Sequence, residues 1–360
     1  MTFPSDTTRA WLDVDLAALV ANARTVAAIS GGRLLPMVKA NGYGIGAVEV
    51  ARALEPLDPW GFGVASVDEG AELRAAGIGR PILVVTPLLP EWIEQFLEHD
   101  LRPSIGDLTA LEAWTRRSQR PFHLEVDTGM SRAGIRWDDR AAVAALGPIL
   151  GRAPGWEGIF THFHSAESDV DSSVRQWDRF QDVLQSLPRP SLVHAANSAA
   201  ALKGRAFTAD LVRPGIFLYG GSAGRPEPRP VAALRTRVIA MRSIVAGDTV
   251  GYGGGWQAHQ PGTIATLGVG YADGLPRSGG ISAAPAREIE INGRLAPVVG
   301  RVTMDMCMAL VDQNVAIGDV ATVFGGLVSL DRQAAAAGTI SYELLTRMGS
   351  RIRRRYARST

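Results

Sequence analysis

The sequence of 360 residues has one cysteine, no excess of charge of either sign and no long hydrophobic run. The single Cys307 excludes an internal disulfide, and its apolar surroundings favour a buried, unreactive thiol. Lys and Arg total 37 against 36 Asp and Glu, so no net field draws the chain to nucleic acid or to an anionic membrane. No stretch approaches the roughly 20 apolar residues of a membrane span, and no signal-peptide pattern opens the sequence. We therefore expect a cytoplasmic protein whose partner is a small molecule.

From residue 10 to about 230, short apolar runs alternate with segments of helical periodicity, which is the pattern of βα units around a parallel sheet. The predicted strands are 34–40, 60–66, 82–87, 102–106, 122–128, 158–163, 192–197 and 211–219. Eight such units predict a (β/α)8 TIM barrel, in which functional residues gather at the C-terminal ends of the strands. Among the helices, the one in SVRQWDRFQDVLQSL is expected to begin with Asp171 and Ser172 as N-caps.

After the proline-rich link at 224–230, the pattern changes to alternation of the β type. Asn292-Gly293 in REIEINGRLAPVV predicts a hairpin with a type I′ turn. Two short helices are expected in SLDRQAAAAG and ISYELLTRM. We predict a barrel domain over residues 1–233 and a mostly β C-terminal domain over residues 234–360.

Polar residues fall at the predicted strand ends. They are Lys39 at the end of strand 1, Arg132 after strand 5, His162 at the end of strand 6, Asn197 and Ser198 at the end of strand 7, and Arg213 in strand 8. A lysine closing an apolar strand is more often a surface residue. A buried lysine amine, however, stays partly neutral and forms Schiff bases with carbonyls, so Lys39 is a candidate to hold pyridoxal 5′-phosphate. Ser198 with the backbone of Gly215 and Ile216 would then form a phosphate cradle in the usual position for a barrel.

The chain resembles the fold-type III alanine racemases through ordered blocks over nearly its whole length. The blocks are MVKANGYG (37–44), DTGMSRAGI (127–135), GIFTHF (158–163), HAANSAA (194–200), VRPGIFLYG (212–220), GVGYADG (268–274), VGRVTMDM (299–306) and ISYE (340–343). This resemblance implies a barrel plus β domain, assembled as a head-to-tail homodimer with each active site at the interface.

The resemblance also implies roles for individual residues. Lys39 would hold pyridoxal 5′-phosphate and act as the base on the D face of the substrate, while Tyr271 of the partner subunit acts on the L face. Racemisation requires two opposed bases, because one removes the Cα proton and the other returns it to the opposite face. The implied cofactor contacts are Lys39, Tyr43, His162, Asn197, Ser198, Arg213, Gly215, Ile216 and Tyr342. The implied substrate contacts are Arg132 and Met304, with Glu125 and Asp305 in support.

Arg213 matches the cation that the family places against the pyridine nitrogen. A guanidinium does not give up its proton, so the ring would stay uncharged, which should suppress transamination. The alternative for this arginine is an ion pair with the nearby Asp210. A tyrosine such as Tyr271 acts as a base only where cations or hydrogen bonds favour the phenolate, and Arg132 and His162 are candidates for this effect.

Glu125 departs from the family pattern, because many relatives have a carbamylated lysine at this position. Our hypothesis is that Glu125 supplies the negative charge directly and so positions Arg132. The alternative is that Glu125 only forms a structural ion pair, since a buried carboxylate needs a partner.

The same residues are compatible with other functions. The H-x-H of His162 and His164 occurs in metal-dependent hydrolases, although further ligands are lacking because His194 stands apart and His123 precedes its strand end. A carrier of pyridoxal phosphate would not need the β domain that presents Tyr271, and a cofactor-free aldolase would leave Arg213 without a role. Alanine is the expected substrate, with serine or a broader set of amino acids as the alternative, and D-alanine would serve cell-wall synthesis.

Overall fold

The computed structural model describes residues 8–278, 286–312 and 314–357. Its strands, in chain order, are β1 (Ala10–Asp15), β2 (Arg33–Leu34), β3 (Phe62–Val64), β4 (Ile82–Pro87), β5 (Arg102–Ile105), β6 (Phe122–Asp127), β7 (Ile135–Arg136), β8 (Trp156–Phe160), β9 (Leu192–His194), β10 (Leu211–Val212), β11 (Ala232–Ile244), β12 (Thr249–Val250), β13 (Trp256–Gln257), β14 (Gly262–Leu267), β15 (Glu288–Ile291), β16 (Arg294–Val299), β17 (Cys307–Val311), β18 (Val320–Phe324) and β19 (Arg353–Ala357).

The right-handed α-helices lie mainly between the strands of the first half. They are Leu16–Ser30, Ala47–Leu54, Val67–Ala75, Ile93–Glu98, Leu108–Arg117, Arg140–Leu150, Val170–Ser186, Ser198–Ala201, Leu330–Ala336 and Ser341–Thr346. Short 3₁₀ turns occupy Glu55–Leu57, Pro90–Trp92, Gly204–Phe207, Ile216–Tyr219, Tyr252–Gly254 and Tyr271–Asp273. In these described ranges no helix combines the length and the apolar content needed to cross a bilayer.

Eight parallel strands form one sheet in the order β2-β10-β9-β8-β6-β5-β4-β3. Its two ends meet through a parallel bridge between Met37 and Gly63, where the N–H of Val38 donates to the carbonyl of Gly63 at 2.8 Å. The sheet therefore closes on itself, and the predicted (β/α)8 barrel is confirmed.

Two of the barrel strands are much shorter than predicted. Strand β2 ends at Leu34 and β10 ends at Val212, whereas the predictions ran to 40 and 219. Pro36 and Pro214 have no N–H to donate, so each interrupts the ladder. The N–H of Met37 still donates to the carbonyl of Pro214 at 2.9 Å. Lys39 consequently lies past the strand, at the start of a separate turn.

The turn Lys39–Tyr43 is left-handed. The φ values of Ala40, Asn41, Gly42 and Tyr43 are 52°, 53°, 60° and 52°. This conformation costs an L-residue about 1–2 kcal/mol, so other contacts must hold it. Asn41 provides one of them, because its Oδ1 accepts from the N–H of Ala47 at 3.0 Å.

Glu69 anchors the same turn from the helix Val67–Ala75. Its two carboxylate oxygens accept from the N–H of Ala40 at 2.6 Å and from the N–H of Ala65 at 2.7 Å. Glu69 thus ties the turn to the segment that follows β3. The backbone next to Lys39 is therefore held in this conformation by contacts with the barrel, and not by the conformational preference of its own residues.

The second sheet runs β14-β17-β16-β15-β18-β11-β1-β19, and β14 also pairs with β11. Six of its strands therefore form a closed ring of mostly antiparallel pairs, and the predicted β domain is confirmed. Strand β1 pairs with β11 antiparallel and with β19 parallel. The division between residues 233 and 234 stays a prediction, and β1, which that division places with the barrel, lies in the second sheet.

The hairpin at Asn292-Gly293 forms as predicted. The two residues have φ values of 50° and 74°, both positive as a type I′ turn requires. Ile291 pairs with Arg294 across the turn. The two short helices near the end of the chain are also present.

The helix Val170–Ser186 begins earlier than predicted. Its N-cap is Asp169, whose side chain accepts from the N–H of Ser172 at 2.9 Å. The prediction of Asp171 and Ser172 as caps was therefore wrong. Aspartates stand at both 169 and 171, and only the folded backbone determines which of them lies outside the helix.

Candidate active site

A cavity of about 520 Å³ lies where the barrel strands end. Its lining includes the predicted site residues Lys39, Tyr43, Glu125, Arg132, His162, Asn197, Ser198, Arg213, Gly215, Ile216 and Tyr342. The fold thus brings Tyr342, from the second domain, to the same cavity as Lys39 and the other barrel residues.

Lys39 is a largely buried amine surrounded by more cations than anions. Burial lowers its pKa, Arg132 and Arg213 lower it further, and Glu69 opposes them. Desolvation and nearby positive charge both disfavour the protonated form. Lys39 is therefore neutral, and nucleophilic, over a wider pH range than an exposed lysine.

Arg213 is buried deep in the barrel with 4% of its surface exposed. One terminal nitrogen donates to Nδ1 of His194 at 2.7 Å, and the other donates to the carbonyls of Thr161 at 2.8 Å and Ala195 at 3.0 Å. Burial lowers the pKa of Arg213 to about 10, which leaves it charged at neutral pH. Asp210, its alternative partner, instead accepts from the N–H of Val193 at 2.8 Å.

Hydroxyl groups line another part of the cavity. The Oγ of Ser198 accepts from the N–H of Gly215 at 2.8 Å, so this N–H, expected to face a phosphate, is already hydrogen-bonded. The ring of Tyr43 stacks on Tyr219 with centroids 4.4 Å apart. A Cβ at Gly215 would lie 2.2 Å from the hydroxyl of Tyr43, so the missing side chain makes room for this group. The hydroxyl of Tyr342 donates to Glu167 at 3.1 Å.

Glu125 is buried in the cavity wall with 4% of its surface exposed. Burial raises its pKa, against the opposing effects of Arg132 and Arg213. Its Oε2 has no hydrogen-bond partner within the described ranges. The carboxyl group is thus close enough to Arg132 to be affected by its charge without being tied to it.

Three predicted site residues do not line the cavity of their own chain: Tyr271, Met304 and Asp305. The N–H of Tyr271 donates to the carbonyl of Thr303 at 3.0 Å, which places these three residues together in the second domain. Tyr271 and Met304 are exposed, at 40% and 52%. The side chains are therefore available to another surface.

An ion-pair network around the buried Asp273 supports the turn of Tyr271. Asp273, with 1% of its side chain exposed, pairs with Arg9 at 2.8 Å and with Arg351 at 3.2 Å. Arg351 also pairs with Asp305 at 2.6 Å. Sequence reasoning missed Arg9, Arg351 and Asp273, because Arg9 lies 264 residues from Asp273 and 296 residues from Asp305. It also missed Glu69, Glu167 and Tyr219, while His194 stood inside a recognised block without a role.

The histidines do not form the metal site that H-x-H suggests. His164 is exposed and bonds to Ser165, whereas burial lowers the pKa of His162 to about 3 and its Nδ1 lies 3.3 Å from Arg213. Among the residues that the structure describes, no three of His, Cys, Asp and Glu are grouped as metal ligands would be. His194 lies 2.8 Å from His123 inside the barrel.

A closed (β/α)8 barrel with a buried lysine in its cavity, followed by an antiparallel β domain, defines the class of this protein. Residues 14–223 match the family "Alanine racemase, N-terminal domain", and residues 231–356 match "Alanine racemase, C-terminal domain". The chain belongs to the alanine racemase family, whose members are isomerases.

Individual relatives agree over the full length. An alanine racemase of Deinococcus radiodurans is 39% identical, over 96% of this chain and 99% of its own. Among solved structures, the biosynthetic alanine racemase of Pseudomonas aeruginosa has a TM-score of 0.89 at 32% identity, covering 98% of this chain and 100% of its own. That of Bartonella henselae, with covalently bound pyridoxal phosphate, has a TM-score of 0.89 at 30% identity, covering 97% and 99%.

Proposed function

We propose that this protein interconverts L-alanine and D-alanine with pyridoxal 5′-phosphate held on Lys39. The observation that carries the proposal is the position of Lys39, a buried amine of lowered pKa in the same cavity as the buried Arg213. The covalently bound pyridoxal phosphate of the Bartonella henselae relative supports this choice of cofactor.

The residues of the cavity fit such a cofactor. Tyr43 and Ser198 offer hydroxyl groups suited to a phosphate, and Tyr342 would offer a third by exchanging its bond to Glu167 for one to the phosphate. The Gly215 position has no side chain that would displace Tyr43. Arg213 offers a charged N–H group to the ring nitrogen and keeps its own proton at neutral pH. Asn197, His162 and the backbone of Ile216 complete the proposed set of contacts.

When bound, pyridoxal phosphate withdraws electrons from an amino acid and so acidifies its Cα–H. The amine of Lys39, whose pKa burial lowers, is suited to accept and return this proton on one face of the substrate. Arg132 would orient the substrate carboxylate, with Met304 of the partner subunit beside it. The second base, on the opposite face, would be the partner subunit's Tyr271.

We propose a homodimer because Tyr271 is exposed and does not line the cavity of its own chain. An appended domain that supplies a base to a second subunit completes both sites of a symmetric dimer. We further propose that the enzyme works in the cytoplasm, where D-alanine serves cell-wall synthesis.

The chain contains only two lysines, Lys39 and Lys203, so two single variants are enough to identify the lysine that binds the cofactor. Purified protein with added pyridoxal phosphate should show a visible absorption band that borohydride abolishes, with the label on Lys39. Lys203→Ala should keep the band and Lys39→Ala should lose it. Incubation with L-alanine, followed by chiral chromatography, should yield D-alanine.

Each failure has a distinct meaning. A band without D-alanine, but with racemised serine, would move the substrate to serine. A band with no racemised amino acid would indicate a carrier. The absence of any band from folded, cofactor-supplemented protein would overturn the proposal.

A further inference from the structure

A chain of side-chain hydrogen bonds crosses the barrel core from Arg213 to Glu157. Arg213 bonds to Nδ1 of His194 at 2.7 Å, and Nε2 of His194 lies 2.8 Å from Nδ1 of His123. Nε2 of His123 lies 3.2 Å from Oε2 of Glu157, which also accepts from Nε of Arg102 at 2.7 Å. The proposed reaction uses only Arg213 of these groups.

The donors and acceptors along this chain can run in only one direction. A guanidinium only donates, so Nδ1 of His194 must accept and its proton must lie on Nε2. That proton is donated to Nδ1 of His123, whose own proton must then lie on Nε2 and point to the carboxylate of Glu157. Both imidazoles are thereby fixed as the neutral Nε2–H tautomer, from Arg213 at one end and from Glu157 at the other.

We propose that Glu157 is a positioning residue for Arg213, acting through His123 and His194. It lies at the start of β8, whereas Arg213 follows the end of β10, so it acts across the barrel from the cavity. The proposal rests on the proposed function only in taking Arg213 as the group that meets the cofactor ring.

The packing around the two imidazoles holds both rings in place. His123 and His194 are both 0% exposed. A Cβ at Gly158 would lie 2.5 Å from Nδ1 of His123, and Phe160 stacks on His194 with centroids 4.9 Å apart. Burial lowers the pKa of both histidines, so they remain neutral beside the charged Arg213.

Loss of Glu157 would remove the acceptor that holds the proton of His123 on Nε2. The Nε2–H of His123 would then be a buried donor without that acceptor, so the other tautomer, in which His194 turns an N–H toward Arg213, would compete with the present one even though Arg213 still favours an accepting Nδ1. Two donors facing each other repel, so Arg213 would lose one of the bonds that fix its position. Glu157 thus affects Arg213 by fixing which nitrogen of each histidine donates and which accepts, and not by its negative charge alone.

The first experiment needs no variant. Neutron diffraction from crystals of the deuterated full-length protein with bound pyridoxal phosphate places the deuterons on each ring. The proposal requires deuterons on Nε2 of His123 and of His194. A deuteron on Nδ1 of either ring would overturn it. If the chain binds no cofactor, the proposed function fails, and crystals of the cofactor-free protein still decide the tautomers.

The second experiment compares Glu157→Leu with Glu157→Gln. The Gln amide oxygen still accepts from His123, so it should rescue what Leu loses. We expect the Kd for pyridoxal phosphate to rise about tenfold in the Leu variant, the effect of losing one buried hydrogen bond, and to stay within about twofold in the Gln variant. The matched control is Glu94→Leu, which removes an exposed carboxylate paired with Arg117.

A purely structural role would give a different result. The melting temperature of the Leu variant would then fall while its Kd stayed within about twofold of the unmodified protein, and the proposal would be wrong. Equal increases in Kd for the Leu and Gln variants would also overturn it, because Gln preserves the acceptor.

Discussion

At the scale of single residues, Glu125 is a buried carboxyl whose Oε2 has no hydrogen-bond partner among the described residues. It serves either the stability of the fold or the positioning of Arg132 by its charge, and its ionisation distinguishes the two. Its pKa is raised, so the folded state binds the proton more tightly than the unfolded state. The stabilising effect of this proton is present below the unfolded-state pKa and is lost as the pH rises through the folded-state pKa. Glu125→Gln cannot ionise. It should therefore be more stable than the unmodified chain near pH 8, by about 1 kcal/mol, with no gain near pH 4.

Urea unfolding at both pH values measures this difference, with Glu94→Gln as the exposed control. A less stable Gln variant at alkaline pH would support the structural ion pair instead. Activity separates the remaining hypotheses. If Glu125 positions Arg132 by its charge, the variant should lose about tenfold in rate, whereas full activity would exclude the charge-mimic hypothesis.

Gly215 is required because a larger residue at this position would displace the hydroxyl of Tyr43. A Cβ there would lie 2.2 Å from the Tyr43 hydroxyl, and Tyr43 cannot swing away because it is buried and stacked on Tyr219. Gly215→Ala should raise the Kd for pyridoxal phosphate about tenfold, as one phosphate contact is lost. Absorbance titration measures the Kd. Gly79→Ala, where a Cβ meets nothing within 4 Å, is the control, and an unchanged Kd for Gly215→Ala would contradict the prediction.

At the scale of elements, the left-handed turn after Lys39 has a strained backbone that contacts with the barrel hold in place. Ala40 is exposed and has a φ of 52°, so Ala40→Gly should relieve strain and stabilise the fold by about 0.5 kcal/mol. Gly42→Ala should destabilise it by about 1–2 kcal/mol, because its φ is 60° and its Cβ would lie 3.0 Å from the backbone of Ala47.

Thermal and urea unfolding of the two variants measure these opposite effects. The pair is its own control, since both changes exchange Gly and Ala within one turn. If both variants were destabilised equally, the turn would depend on the side chain at each position and not on backbone strain.

The same element shows where sequence reasoning reaches its limit. The barrel was predictable because apolar runs and helical periods are local signals, and the Asn292-Gly293 hairpin because its turn needs positive φ at both positions. Asn41-Gly42 is the same dipeptide, but neither it nor Ala40 predicts four successive residues of positive φ, as in the turn after Lys39. That turn is imposed by Glu69, 29 residues from Ala40 along the chain. Strand β1 was not predicted either, since its partners β11 and β19 lie more than 200 residues away.

In the proposed site, too, residues marked by a local sequence pattern were predicted, and residues that depend on distant partners were not. Lys39 and Arg213 were predicted from strand ends and motif blocks, and both line the cavity. The function of Glu157 could not be predicted, because it depends on two histidines aligning across the barrel. Nor does any local pattern reveal that Arg9 and Arg351 hold Asp273 beside Tyr271.

At the scale of the whole molecule, the chain carries the two proposed bases in two separate places. The cavity of the barrel holds Lys39, whereas Tyr271 is exposed on the second domain, on a turn held by buried Asp273. A rigidly held, exposed tyrosine suits a surface that meets another molecule. In a symmetric dimer each domain would complete the other subunit's cavity.

Subunit mixing tests this arrangement directly. Lys39→Ala and Tyr271→Phe should each be inactive as pure dimers, since every site then lacks one base. A hybrid dimer would carry both changes in one site and neither in the other. Random exchange makes about half of the dimers hybrids, so about a quarter of the sites should recover full activity. Mixing Lys39→Ala with itself is the control. If Tyr271 served the cavity of its own chain, no hybrid site would be intact and mixing would restore nothing.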